Sequence, residues 1–254
     1  MKNKAPQPFK TYFGGKSGDG TYQTLINHIP PHKVYCSFFC GNDAVYRNMR
    51  RSVYALLMDL DPTVIDSWLD VGYFTDQTYH KIVCSDAFKA LDDIKMAMEP
   101  FWFDYKLRLE EIFLFLDPPY MYSTRKSPRP VYKCELGLVP EHRVLLNSVK
   151  KLSRQGVKIM LCSYPNDLYD SELSGWNKVE YWSKIRGGVA LEAIYMNYQL
   201  DGKLHDYRYL GGDFREREKF KRITMNLVAK LNRLEPGLRN KIVAELKSEL
   251  SKMD

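Results

Sequence analysis

The sequence predicts an α/β fold built on a mostly parallel sheet with helices on both faces. Three observations point there. Short β-rich apolar runs alternate with stretches of helical period, a run such as 34–38 shows little polar alternation, and a carboxylate recurs in the turns that follow the first four runs. The strands are expected at 34–38, 53–58, 82–84, 112–116, 157–162, 179–182 and 191–198. The helical stretches are 22–29, 62–70, 88–98 and 141–154, the last with Val144, Leu145, Val149 and Leu152 on one face. Beyond Tyr198 the sheet pattern stops. Gly211-Gly212 punctuates the chain, and 213–234 and 238–252 read as two charged helices broken at Glu235-Pro236-Gly237. Leu238, Ile242, Leu246 and Leu250 give the second of these a narrow apolar stripe that calls for a packing partner.

Composition bounds the class of protein. The chain has 254 residues, 44% apolar and 27% charged, which argues against disorder and against a fibrous repeat. No run approaches the roughly 18 apolar residues of a membrane-spanning helix, and the first ten residues lack the apolar core of a signal peptide, so the expected location is cytoplasmic. The five cysteines, Cys36, Cys40, Cys84, Cys134 and Cys162, have neither disulfide-framework nor zinc-module spacing, so they are read as reduced and no metal is expected. Net charge is +7, and residues 202–254 hold 13 Lys and Arg against 8 Asp and Glu, so most of the excess lies in a basic tail. That distribution fits nucleic-acid docking, although solvated helices biased toward Lys and Arg produce it as well.

Ligands on such a sheet bind beyond the carboxyl ends of the strands. The turns there read Phe39-Cys40-Gly41-Asn42-Asp43, Asp59-Leu60-Asp61-Pro62, Ser85-Asp86-Ala87-Phe88 and Asp117-Pro118-Pro119-Tyr120. The last is the strongest signal. It follows Ile112-Phe113-Leu114-Phe115-Leu116, too apolar for an exposed edge, so it sits at the tip of a central strand. Two prolines fix φ and remove two N–H donors, leaving a rigid turn whose carbonyls serve as acceptors. Asp117 adds a carboxylate and Tyr120 an aromatic face. An exocyclic amine on a planar heterocycle requires that set: two acceptors draw its lone pair toward nitrogen while a ring holds the base.

With these motifs in this order, the sequence resembles the Dam-like (D12 class) adenine-specific DNA methyltransferases over about residues 10 to 200. The resemblance includes Tyr12-Phe13-Gly14-Gly15-Lys16, 39–43, Asp59, Asp86, Asp117-Pro118-Pro119-Tyr120, Leu161-Cys162-Ser163-Tyr164 and the run 191–198. It implies a Rossmann-like S-adenosylmethionine-dependent fold with a seven-stranded sheet, a methyltransferase domain over 1–200 and a basic helical extension over 201–254. It implies methyl transfer to the N6 amine of adenine in double-stranded DNA, as in restriction-modification or phage enzymes. For the cofactor it implies Tyr12 and Lys16 at the methionine end, Lys16 by pairing with its carboxylate, with Gly14 and Gly15 also among the cofactor-binding residues. Phe39, Gly41 and Asp43 would lie in the first turn, Asp59 on the ribose, Asp86 and Phe88 on the adenine, and Asp117 also against the cofactor. Asp117, Pro118, Pro119 and Tyr120 are the catalytic set. Taken alone, Asp59, Asp61 and Asp86 read equally as helix N-caps.

The first turn departs from the family pattern: Ser37 stands where an acid is usual and Asp43 where glycine is usual. If position 43 needs positive φ, aspartate is among the less costly substitutes, and its carboxylate could pair with the methionine ammonium. Asp86 and Asp117 are too close for an inserted recognition domain. A short segment of about 121–140 would take its place, with Tyr122, Arg125, Lys126, Arg129, Tyr132 and Lys133 on nucleic acid, as in compact phage-type members that also have Glu135 and His142. The alternatives left open are an adenine methyltransferase acting on RNA, a nucleic-acid-binding relative with weakened turnover, and a cytosine-N4 or glutamine-amide methyltransferase.

Overall fold

The computed structural model of the chain describes residues 8–9, 12–18, 20–74, 79–99, 107–126, 129–185 and 188–252. The chain divides into two compact units between Tyr207 and Arg208. The first contains α1 (Thr21–Ile26), β1 (Val34–Ser37), α2 (Ala44–Asn48), β2 (Tyr54–Asp59), α3 (Pro62–Asp70), β3 (His80–Cys84), α4 (Ala87–Asp92), α5 (Ile94–Ala97), β4 (Ile112–Leu116), α6 (Val139–Arg154), β5 (Lys158–Ser163), α7 (Asp167–Glu172), β6 (Asn177–Ile185) and β7 (Gly188–Met196). Seven strands form one sheet in the order β3-β2-β1-β4-β5-β7-β6. The four pairings from β3 to β5 are parallel, and the two that involve β7 are antiparallel. The expected mostly parallel sheet is therefore mixed at one end.

The strand sequences follow from their positions. All five residues of Ile112-Phe113-Leu114-Phe115-Leu116 are buried, as are all four of β1, because both faces of the sheet centre are covered. Alternation sorts them. Val34, Cys36, Ile112, Leu114 and Leu116 join Leu91, Leu145, Leu146, Val149 and Leu152 in an aliphatic layer. On the opposite face Tyr35 stands 6.0 Å from Phe113 and 5.7 Å from Tyr46, which lies 5.8 Å from Trp68. Edge strand β6 alternates between covered and exposed residues instead.

Carboxylates and an amide begin the helices. Asp43 accepts from Tyr46 N at 2.9 Å for α2, Asp61 from Thr63 N at 2.9 Å for α3, Asp86 from Phe88 N at 2.9 Å for α4, and Asn166 from Tyr169 N at 3.0 Å for α7. The helix expected over 88–98 is two: Asp93, at φ −135°, interrupts it and caps α5 through Met96 N at 3.0 Å. Helices α2 and α7, of five and six residues, have no counterpart in the sequence reading.

Register brings the turns singled out in the sequence together. Cys36 lies beside Leu56 and Leu114, and Ser37 beside Leu57 and Phe115, so β1, β2 and β4 end side by side. Between β1 and β4 the winding of the sheet reverses, the place where an open α/β sheet forms a crevice. Strand β7 pairs with β5 only over residues 193–196, leaving 188–192 and their β6 partners as a ribbon extending past the sheet.

The second unit consists of α8 (Phe214–Asn232) and α9 (Pro236–Ser251), begun by the capping carboxylates of Asp213 and Glu235. Neither helix buries a residue, and the leucine stripe is exposed at Leu238, Leu246 and Leu250. Among the described residues no helix is long and apolar enough to cross a membrane, and no cluster of His, Cys, Asp or Glu is suited to a metal ion.

The sheet centre should therefore dominate stability. Leu114→Ala should cost about 2–5 kcal/mol in chemical denaturation, whereas Leu246→Ala, at 51% exposure, should change it by less than about 0.5 kcal/mol.

Candidate active site

The turn after β4 meets the N-terminal segment and the β6–β7 ribbon around one ammonium group. Lys16 Nζ lies 2.8 Å from Asp117 Oδ1 and 3.3 Å from Glu192 Oε2, and donates to the Tyr120 hydroxyl at 2.9 Å and the Gly14 carbonyl at 3.3 Å. Tyr120 Oη is 3.2 Å from Asp117 Oδ1 and 3.0 Å from Glu192 Oε2; its one proton serves one of them at a time. Tyr181 donates to Glu192 Oε2 at 3.1 Å, as its position opposite Glu192 in the β6–β7 ladder allows. The ring of Tyr164, just after β5, meets that of Tyr120 edge-on at 4.7 Å.

Burial and pairing set the charges. Burial alone would lower the pKa of Lys16, but Asp117 and Glu192 outweigh it and hold the ammonium well above the ordinary lysine value. Burial raises Asp117, with Lys16 pulling against it and Glu192 adding to the rise. For Glu192 burial acts upward, yet Lys16 and the Tyr120 hydroxyl hold it below the usual range. Tyr120 is pushed far up by burial and remains a neutral hydroxyl. Asp117 is thus the carboxylate most readily protonated, and Glu192 the one that stays charged.

The resemblance implied that Lys16 pairs with a cofactor carboxylate; in the structure its ammonium is paired within the protein. Its three N–H donors face four acceptors there.

The turns after β1 and β2 form the second half of the site. Asp59 accepts from Gly41 N at 2.9 Å through Oδ2 and from Asp61 N at 3.0 Å through Oδ1, tying the two turns together. A carboxylate has about four lone-pair positions, so acceptor capacity remains. Gly41 has φ +43°, and a Cβ there would stand 2.6 Å from the Tyr12 ring; the close approach that requires glycine is the approach of Tyr12. Asp43, at φ −7°, is outside the left-handed region, so the conformational reason entertained for this substitution does not apply. Its carboxylate takes hydrogen bonds from Tyr35 Oη at 2.8 Å and Tyr46 N at 2.9 Å, so both oxygens face into the protein. Phe39 and Phe88 are half-buried against the aliphatic layer, and Asp61 and Asp86 cap helices.

The segment after Tyr120 folds on itself and over this end of the sheet. Ser127 and Pro128 lie outside the described residues. Arg125 pairs with both oxygens of Glu135, at 3.1 and 2.8 Å, and its guanidinium lies over the rings of Tyr122 and Tyr132. With 8% of its side chain exposed, Arg125 braces the loop, a different position from the phosphate-facing one expected. Glu135 also accepts from Val131 N and Tyr132 N. Tyr122 packs on Gly137, Tyr132 packs on Gly14, and Lys133 reaches Asp61 Oδ1 at 3.3 Å. Lys126 and Arg129 are exposed. His142 is wholly buried, between Tyr169 Oη at 2.7 Å and the Leu136 carbonyl at 2.8 Å; burial lowers its pKa, so it is a neutral strut behind the site.

The structure thus gathers Lys16, Asp117 and Tyr120 in one network and Tyr12, Gly41 and Asp59 in an adjoining one. Glu192 and Tyr181 were missed. The available signal was Glu192 itself, the lone charge in the apolar run 191–198, which a buried strand tolerates only when paired.

No family model matches the sequence, and no curated protein matches it. Similar solved structures include M. capricolum TrmK in complex with S-adenosyl-homocysteine, at 11% identity and TM-score 0.43 over 91% of this chain and 93% of that one. The N-methyltransferase NodS from Bradyrhizobium japonicum WM9 is similar at 9% identity and TM-score 0.43, over 71% and 95%. An rRNA methylase from Streptococcus thermophilus is similar at 9% identity and TM-score 0.42, over 71% and 96%. Likenesses of this degree bear on neither substrate nor mechanism.

Burial raises Asp43 to about 6. The folded chain then binds more protons than the unfolded one between roughly pH 4 and 6, so stability falls as pH rises through that window. Asp43→Asn retains an acceptor for Tyr46 N and loses the one for the Tyr35 hydroxyl; beyond that fixed cost, its stability relative to wild type should rise by roughly 2 kcal/mol between about pH 4 and pH 8. Denaturant melts across that range test this, and a gap independent of pH contradicts it.

Proposed function

We propose that the protein transfers a methyl group from S-adenosylmethionine to the N6 amine of adenine in nucleic acid, with double-stranded DNA as the polymer. The observation behind this reading is the Asp117-Pro118-Pro119-Tyr120 corner at the tip of the fully buried strand β4, beside the Gly41 and Asp59 turns at the crevice of the sheet. The donor set fits the cofactor. Asp59 combines half-buried position with spare acceptor capacity suited to ribose hydroxyls, and the Tyr12 ring lies over the adjacent backbone. When bound, S-adenosylmethionine supplies an electrophilic methyl group on a sulfonium.

The remaining work falls to the protein. Asp117 and the Pro118 carbonyl accept the two N–H groups of the target amine and draw its lone pair toward nitrogen. Pro119 stiffens the corner, and Tyr120 and Tyr164 offer ring faces and edges to the base. Holding the amine in line and excluding water supply most of the acceleration, because the sulfonium is intrinsically reactive. Lys126 and Arg129 are exposed cations of the loop that would meet phosphates, while Arg125, Tyr122, Tyr132 and the exposed Lys133, paired with Asp61, hold it in shape.

Transfer of tritium from methyl-labelled cofactor to mixed-sequence DNA, with RNA in parallel, tests the proposal. Label recovered as N6-methyladenine supports it; label in RNA alone moves the activity to that polymer, and no label in either removes it. Asp117→Asn should lower transfer at least about a hundredfold and leave cofactor affinity within about twofold, measured by calorimetry.

A further inference from the structure

The group of charges around Lys16 is not balanced. Asp117 and Glu192 share this ammonium at 2.8 and 3.3 Å, so the three groups together hold one net negative charge. They do so with Lys16 5% and Glu192 4% exposed, where an excess charge is costly unless it meets a complementary one. Asp117, the Tyr120 hydroxyl and the Gly14 carbonyl already match the three donors of the ammonium, and Asp117 provides the acceptor at the corner. Glu192 is therefore an addition that packing does not require and that two tyrosine hydroxyls hold in position.

We propose that Glu192 is a positioning residue of the amine site: it anchors Lys16 and the Tyr120 hydroxyl, so that Asp117 keeps an oxygen for the incoming amine and the cluster faces it with one net negative charge. This rests on the reading that Asp117 accepts the target amine. During transfer the amine lone pair forms the N–C bond, the S–C bond breaks and its electron pair goes to sulfur. Positive charge leaves sulfur and appears on nitrogen, which then releases its proton to solvent. A net negative cluster beside that nitrogen favours the step, whereas a neutral Lys16–Asp117 pair would not.

The groups facing Asp117 come from every neighbouring element: Lys16 from the N-terminal segment, Tyr120 from its own turn, Tyr132 from the loop, Cys162 from β5, Tyr164 just beyond it, Tyr181 from β6 and Glu192 from β7. Burial raises the four tyrosines and the thiol alike, keeping them neutral, so among the described residues Lys16 and Glu192 are the two charges that Asp117 meets.

The test compares wild type with Glu192→Gln in two ways. In difference infrared titration, assigned by subtracting Asp117→Asn, removal of the like charge should lower the Asp117 midpoint by about one unit. In methyl transfer, kcat should fall roughly tenfold or more with cofactor affinity unchanged, and the acid limb of the pH profile should move to lower pH. An unchanged midpoint or an unchanged kcat overturns the proposal. Wild type without any methyl transfer would sink the functional reading instead, while the infrared midpoint still judges the Glu192–Asp117 coupling. Should Glu192→Gln not fold, Glu192→Asp, which withdraws the charge by one methylene, replaces it: an intermediate midpoint supports the proposal and an unchanged one overturns it.

Discussion

One buried ammonium organises the candidate active site. Lys16 belongs to the segment before α1, Asp117 and Tyr120 to the turn after β4, and Glu192 to β7, and the ion pairs at 2.8 and 3.3 Å join all three. None of these groups would be stable there alone. Loss of one partner from a buried pair typically costs about 3–5 kcal/mol, because the other charge is left without compensation. The same pairing fixes the direction in which the Asp117 carboxylate faces, and so decides what the corner can accept.

The sheet makes this possible through register. With β1, β2 and β4 ending side by side, the Gly41 and Asp59 turns adjoin the Asp117 turn, and Asp59 binds the first two into one unit through Gly41 N and Asp61 N. The loop after Tyr120 then closes over this end, braced by Arg125 and Glu135 and pressed onto Gly14 by Tyr132. Rigidity thus comes from pairs that are intramolecular and partly desolvated, which suits a site that must hold an acceptor still.

Local signals were legible in the sequence and long-range pairings were not. The run 112–116 announced a central strand because burial on both faces removes polar alternation, and 62–70 coincides with α3 because Asp61 and Pro62 start it. The stretch 88–98 concealed the break at Asp93, since its apolar period continues across the interruption. A carboxylate after a strand has two uses, ligand and cap, and Asp61 and Asp86 take the second. Arg125 read as a surface cation because Glu135, ten residues on, gives no periodic sign of pairing. The partners of Lys16 lie more than a hundred positions away, where no local pattern reaches.

Under the proposed function, cofactor and target amine share one crevice, between the Tyr12–Lys16 segment and the turn at Asp117. Ultraviolet cross-linking of methyl-labelled S-adenosylmethionine, followed by peptide mapping of the adduct, examines that placement directly. Label is expected in peptides containing Tyr12 to Lys16 or the segment from Asp117 to Tyr122. Label confined to the helices beyond Tyr207, or absent at saturating cofactor, would contradict it.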